Sequence, residues 1–454
     1  MPVSTQHKDY AAHQKKARRV RDAVAGSDAI KARGTTYLRN PDKDDTERYK
    51  EYKEQAQWLG VTKRTHDGML GAIFRKTPQA ELPKEIEYLI DDADGSGMSL
   101  TQFARGTCSD GIQDGKKGIL VDYPEAADGL TREQTRGLRA TLRGYVSESI
   151  INWRRAGEDL VLVVLSELYD EEVDEFNFEQ KQQFRVLSLD ATGYRQRVYR
   201  GDDVVADTYP RMANGSPWPL IPFQFIGTVN NDENPDNPML LDIADLNIGH
   251  YRNSADLEES SFTVGQPMPH VDIGENTSTQ DWKALNPNGI KWGSRVGVQT
   301  KGGKVELVQV EPNTLPDKLM ERKEAQMLSI GARLIEQRGQ NETAEAVRAR
   351  SGAESANLST LADNVSDGLE NCLEWAALFM SSADLHGQIS YRLNQEFYEQ
   401  DADPQMVIAR IQELDRGLIA KKDFRDWRRK TGGIAPDRTD EEIEDDVQAG
   451  GSTL

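Results

Sequence analysis

The stretch Gly111-Ile112-Gln113-Asp114-Gly115-Lys116-Lys117 comes closest in this sequence to a phosphate-binding loop. Such a loop wraps backbone N–H groups around phosphate oxygens. It needs four residues between its glycines and a Ser or Thr after its lysine to hold magnesium. Here three residues separate Gly111 from Gly115, and Lys117 stands where the hydroxyl belongs. A strand pattern follows, where the loop requires a helix, so a turn is expected. Asp92-Ala93-Asp94-Gly95-Ser96-Gly97 imitates the start of a calcium loop. Its twelfth position should be a bidentate Glu and is Phe103, so a solvated turn before a helix is expected. His7, His13, His66, His250, His270 and His386 are scattered, with no ligand pair at helical spacing. No Gly-x-Ser-x-Gly nucleophile motif occurs. No catalytic residue, metal site or cofactor is expected.

The basic residues are more informative. Lys318, Arg322, Lys323, Arg333 and Arg338 gather on and just after one helical pattern. On a lone chain they read as a solvated face; repeated around a ring they would form bands of positive charge. The chain as a whole carries a net charge of −20, with 29% charged and 37% hydrophobic residues. That balance excludes bulk electrostatic gripping of nucleic acid, which needs clustered Lys and Arg to release counterions. It leaves open a protein that surrounds DNA without holding it. Cys108 and Cys372 give no disulfide framework. Cys372 falls on an apolar helical stripe and is expected to be a buried packing residue. No apolar run approaches membrane-spanning length, and the first residues lack the apolar centre of a signal peptide.

The elements that must position these residues centre on 240–380. Leu241, Ile248, Tyr251 and Ala255 mark a first helix over 240–262, charged on its other faces and therefore in need of neighbours. An insert, 263–312, is rich in Pro and Gly, and Val305–Val310 alternates like one arm of a hairpin. A second helix, 313–337, repeats apolar residues at Leu319, Met327, Ile330 and Leu334. The turn of Arg338, Gly339, Gln340, Asn341, Glu342 and Thr343 then leads into a long helix to about Met380. Its stripe is Leu358, Leu361, Val365, Leu369, Cys372, Ala376 and Phe379. Such a plan suits a subunit standing in a ring better than an isolated globule.

Before this unit, one mixed domain is expected over 1–239. A helix starts near Asp44 or Thr46 and can end at Gly60; short helices are expected over Leu82–Ile90 and Ser99–Asp110. Gly118–Tyr123 reads as a strand. Arg132–Arg155 reads as a helix with Leu138, Leu142, Tyr145 and Trp153 on one stripe. From Asp159 the period changes to strands, with a hairpin at Ala191-Thr192-Gly193 and a further strand at Pro222–Val229. Asn230–Pro238 is a polar breaker. After the long helix come a strand near Gly387–Asn394, two helical pieces over Pro404–Lys430 broken at Gly417, and a disordered acidic end over 437–454.

Taken in order, VRDAVAGSDAIKARGTTYLRNP, RTHDGMLGAIFRKTP, SLTQFARGTCSDGIQDGKKGILVDYP, YVSESIINWR, ADLNIGHYRNSADLEESSFTVGQPMPHV and SIGARLIEQRGQNETAEAVR give a chain that resembles the compact portal proteins of tailed bacteriophages. The resemblance implies an α+β fold. Residues 1–239 would form a wing, and 240–262 and 313–337 two stem helices. Residues 263–312 would form a small β clip between those helices. Residues 338–343 would be a loop projecting into a channel. Residues 344–403 would be the long helix and the rest of the wing, and 404–454 a short helical crown with an acidic tail. It further implies rings of twelve at one capsid vertex and passage of double-stranded DNA. The implied partners are the terminase large subunit, the major capsid protein and a head–tail adaptor; no membrane, no cofactor and no catalysis are implied. Trp282 and Trp292 are candidate clip anchors, either between subunits or within one. Two rival readings are a smaller type of ring-forming head–tail connector and a nucleotide-using enzyme built on Gly111–Gly118.

Overall fold

The computed structural model describes residues 2–43, 45–124, 138–265, 268–275, 277–287, 300–308, 314–335, 344–395, 397, 404–430, 433–435 and 438–450. Four helices lead the chain: α1 (Tyr10–Ala25), α2 (Ser27–Ala32), α3 (Thr46–Gln55) and α4 (Val61–Ile73). The sequence pattern marks no helix before Asp44, so α1 and α2 are additions to it. α1 is highly charged, and its buried side mixes Ala17, Val20, Ala23 and Val24 with His13, Gln14 and Asp22, so few large apolar residues mark it. α3 begins where Asp45 accepts the Arg48 N–H at 2.8 Å. It stops at Gln55, short of the expected Gly60, which instead stands ahead of α4. Strand β1 (Gln79–Glu81) follows, and the expected helix over Leu82–Ile90 is only a short 3-10 turn, Glu87–Ile90.

Helix α5 (Leu100–Asp114) opens on a capping box between Ser99 and Gln102. It closes at Gly115, whose φ is +75°. A Cβ there would stand 2.4 Å from the Asp236 carbonyl oxygen, so only glycine fits. Strand β2 (Lys116–Asp122) leaves at once. The expected turn at Gly111–Lys117 is thus the end of a helix and the start of a strand. The Asp92–Gly97 turn is present, with the Asp92 carboxylate accepting from Gly95 and Gly97 at 2.9 Å each.

The expected helix over Arg132–Arg155 is overturned for its described part. There the chain forms β3 (Thr141–Val146), a 3-10 turn at Ser147–Ser149, and β4 (Ile150–Ala156). Leu142 and Tyr145, assigned to a helical stripe, pair instead with Val121 and Gly118 of β2. Pairing with a distant buried strand outweighs the local periodicity. The remaining strands of this region are β5 (Asp159–Asp174), β6 (Asn177–Asp190), β7 (Gly193–Arg200), β8 (Asp203–Thr208) and β9 (Phe223–Gly227). They form two antiparallel sheets, one in the order β3-β2-β9 and one in the order β4-β5-β6-β7-β8.

Next come α6 (Leu241–Gly265), β10 (Met268–Val271), α7 (Thr279–Leu285), β11 (Val305–Val308), α8 (Leu315–Ile335) and α9 (Ala344–Met380). The chain then adds β12 (Ser390–Arg392), α10 (Pro404–Asp415), α11 (Lys421–Lys430) and α12 (Asp440–Gly450). β12 pairs with β1, closing the C-terminal part onto the N-terminal part. The expectation of disorder over 437–454 fails at α12. There Arg429 and Arg438 pair with Asp440 and Asp446, neutralising part of an acidic run that would otherwise repel itself.

One contiguous core joins α1, α4, α5, both larger sheets, the start of α6 and the second half of α9. Every residue of the apolar stripe read along α9, from Leu358 to Phe379, is buried in it. Phe379 stacks on Tyr123 and lies 4.5 Å from the Trp218 ring. The architecture is α+β, as the sequence indicated.

Candidate assembly site on the α6–α8 pair and its insert

α6 and α8 pack against each other and carry the small β10–β11 ladder between them. On α6, Ile248, Tyr251 and Ala255 are buried as read from sequence. The charged faces of α6 were expected to find partners in neighbouring subunits. The structure corrects this in part: much of that surface is met by the chain's own N-terminal helices. Arg19 pairs with Asp245 at 2.7 Å, Tyr52 donates to Asp256 at 2.6 Å, and Arg48 pairs with Glu259 at 2.7 Å. Buried Asn247 accepts from the Thr62 hydroxyl at 3.0 Å, and Ser254 accepts from the Gln57 N–H at 3.0 Å. Each of these pairs spans a long sequence separation, so no local pattern announces it.

The basic residues of α8 divide. Lys323 turns inward: its ammonium meets Asn253, and its stem lies over Gly249, where a Cβ would come within 3.1 Å of it. Burial, and then the neighbouring Arg322, lower its pKa. His250 meets Glu324 across the same helix pair at 2.9 Å. Lys318 and Arg322, one turn apart, are exposed. Among the described side chains the band expected from sequence is two outward cations and one inward lysine. Arg333 lies within α8. Arg338, Gly339, Gln340, Asn341, Glu342 and Thr343 lie outside the described residues, as does Trp292.

In the insert between α6 and α8, β10 and β11 are antiparallel, with Met268 opposite Val308 and Val271 opposite Val305. The ladder continues through Asp272, whose N–H donates to the Lys304 carbonyl at 2.8 Å. At Gly303 an added Cβ would stand 1.9 Å from the Asp272 carbonyl oxygen. That crossing admits no side chain, which accounts for a glycine in the Lys301–Lys304 run. Trp282 sits half-buried on α7, a helix capped by Ser278, which accepts from the Asp281 N–H at 3.1 Å.

The Gly111–Lys117 stretch is occupied by the protein itself. Lys116 is buried and donates to the backbone carbonyls of Asp232 and Asn234, the latter at 2.7 Å, within the polar breaker. Burial lowers its pKa to about 8. Lys117 pairs with Asp110. Neither lysine is presented to a phosphate, and the order helix-then-strand is the reverse of what a phosphate loop needs. Among the described residues no cluster of His, Cys, Asp and Glu could hold a metal ion. None of the described helices is long and apolar enough to cross a membrane.

Sequence reasoning missed a buried polar cluster beside this stretch. Asp114 is buried and pairs with Arg21 at 2.8 Å. Ser147 donates to the other Asp114 oxygen at 3.1 Å, and Gln14 donates to Ser147 at 3.2 Å. Desolvation raises the Asp114 pKa to about 6 despite Arg21. Nearby His13 is also buried, and desolvation with the charge of Lys116 lowers its pKa to about 4.

Residues 239–380 match a family described as a domain of unknown function, DUF4055. That span runs from the residue before Leu240 to the end of α9 and so contains α6, the β10–β11 insert and α8. No curated protein matches the chain. The chain is similar to a solved chain from the neck of a native GTA particle computed with C12 symmetry. The two are 12% identical, 94% of each chain is covered, and the TM-score is 0.43. It is also similar to a chain from the neck of an empty GTA particle computed with C6 symmetry. That match has 13% identity, covers 90% of this chain and 99% of the other, and has a TM-score of 0.42.

Proposed function

We propose that the chain is the subunit of a portal-type ring. Twelve copies would stand at one capsid vertex, pass double-stranded DNA, and dock the terminase large subunit and later a head–tail adaptor. The observation that carries this reading is the α6–α8 pair, which bears the clip between its helices while the chain returns through α9 into the wing core. The order of sequence stretches that resembles portal proteins supports it. So does surface that the chain leaves uncovered on the stem, Phe262 on α6 and Leu328 on α8. The strong negative charge suits a channel, because DNA must slide past without its phosphates being held. In this reading the protein has no catalytic role; the ring works by shape and charge, in the virion and, during assembly, in the host cytoplasm.

Electron microscopy of the purified full chain tests the proposal. Closed rings with a central hole are expected, because a head-to-tail interface that closes gives cyclic symmetry. A monomer that persists at all working concentrations would refute it. The channel role has its own test at Gly339 and Asn341. Bulky replacements there are expected to leave rings intact and to impair DNA packaging or retention. Packaging at the normal rate by such rings would remove the loop from the channel.

A further inference from the structure

Beyond Leu165 the β5–β6 pair leaves its sheet. β4 pairs with β5 as far as Leu165, and β7 pairs with β6 as far as Phe184. From Ser166 to Asp174 the two strands run on alone, a ribbon of about 30 Å at ~3.3 Å per residue. Such a ribbon is marginal in water by itself. One of its faces continues the small core at its root, where Val164, Val186 and half-buried Phe184 pack with Val3 and Tyr10. Further out on that same face, Leu168 is 67% and Phe178 63% exposed, and at the turn Phe176 is 82% exposed. Around them stand Asp170, Glu171, Glu172, Asp174, Glu175 and Glu179 against one cation, Lys181. Glu171 and Glu179 lie directly opposite each other and share the ammonium of Lys181, which leaves the arm's excess negative charge on Asp170, Glu172, Asp174 and Glu175.

A complementary surface lies elsewhere on the same chain. Between α1 and α6 a cleft of about 900 Å³ is lined by Tyr10, Lys15, Arg18, Arg19, Ile248 and Arg252, with Asp245 its one acid. Arg19 is paired with Asp245 and Arg18 with Glu148, while Lys15 is exposed. The cleft thus offers apolar walls and an excess of positive charge, the opposite of the arm. Two different surfaces that complement each other on one chain make a head-to-tail contact, which closes into a ring when the rotation allows.

We propose that the β5–β6 arm of one copy seats in the α1–α6 cleft of the next. Phe176 and Phe178 enter between the helices, and the acidic flank of the arm faces Lys15 and Arg18. This rests on the ring reading above and assigns its wing contact.

The test mixes two full-length chains, one carrying Phe176→Cys and the other Ala11→Cys, under mild oxidation. Ala11 lines the cleft and is exposed. The native thiols of Cys108 and Cys372 are buried and will not compete. A disulfide-linked pair is expected in the mixture and in neither chain alone. Phe176→Ser with Phe178→Ser is expected to raise the concentration needed for half-assembly about tenfold or more. Lys15→Glu is expected to weaken assembly, and Glu175→Lys in the same chain to restore part of it. Intact rings with no cross-link and unchanged assembly in the Phe variants overturn the arm contact and leave the ring reading standing. Failure of the unsubstituted chain to form any ring overturns both.

Discussion

Along α9, Leu361, Val365, Leu369, Cys372 and Ala376 are all fully buried by the chain's own elements. Along α8, Met327 is fully buried, yet Leu328 is 64% exposed, while Leu319 and Ile330 are half covered. Both helices carry an apolar repeat of helical period, and both were legible as helices. The difference lies in what covers them. α9 runs beneath the sheet of β2, β3 and β9, and Gly368 brings it so close that an added Cβ would sit 2.9 Å from Ile226. α8 meets α6 and α4, with a smaller contact to α9, and Leu328 is left outside these contacts. A repeat shows that a face is apolar and leaves open which molecule hides it.

The largest effect should come from breaking the covered side. Leu369→Ala removes a side chain from a fully packed site. The expected loss of stability is about 2–5 kcal/mol, because the core closes only partly over the void. Urea unfolding of the variant against the unsubstituted chain measures it. A loss near zero would mean that α9 is not held by the main core.

A middle-sized effect concerns the buried polar cluster between α1 and α5, which is part of the covered region yet carries charge. Folded His13 has a pKa near 4, against an ordinary value of 6.5. Between those values the unfolded chain binds a proton that the folded chain refuses, so His13 makes the fold less stable as pH falls. Folded Asp114 has a pKa near 6, against 3.8. Its folded form holds a proton that the unfolded chain releases, so Asp114 makes the fold less stable as pH rises from about 4 to 6. Each contributes a slope of about 1.4 kcal/mol per pH unit, with opposite sign. In the unsubstituted chain they nearly cancel between pH 4 and 6. Asp114→Asn is therefore expected to lose stability on acidification, and His13→Gln to gain it, each relative to the unsubstituted chain. Thermal melts at pH 4.5, 5.5 and 6.5 read the two slopes; equal slopes in both variants would dissolve the cluster as a titrating unit.

The same division between local and distant partners decides what could be read from sequence. The helix at 344–380, the strand around Leu120 and the hairpin at Gly193 were legible because each has its own period or turn residues. β3 and β4 were not. Leu142, Tyr145 and Trp153 happen to recur at helical spacing, and only the ladder with β2 and β5 turns that stretch into strands. α1 was hidden because its buried side mixes small apolar residues with His13, Gln14 and Asp22. Of the candidate site, the helices and one arm of the β10–β11 ladder were visible. The inward turn of Lys323 was not, since it depends on Gly249 and Asn253 some seventy residues earlier. The cluster joins Gln14 and Arg21 of α1, Asp114 of α5 and Ser147, three separate stretches that nothing local links.

The smallest effect on the fold sharpens the comparison most. Leu328 is exposed on α8 beside the buried Met327, and substitution at such a surface position changes stability by no more than about 0.5 kcal/mol. Leu328→Ser should therefore melt within a degree or two of the unsubstituted chain when both are monomeric. If a neighbouring stem covers Leu328, the same change removes apolar burial from every interface of the ring, about 1.5–3 kcal/mol at each. Mass photometry across a dilution series then shows assembly shifted to higher concentration with monomer stability unmoved. Met327→Ser, one residue earlier and fully buried, is expected to behave in the opposite way and lower monomer stability first. Should Leu328→Ser leave both the melt and the assembly curve where they were, the exposed side of α8 faces solvent in the ring as well. The uncovered half of the stem would then owe its leucine to nothing in the assembly.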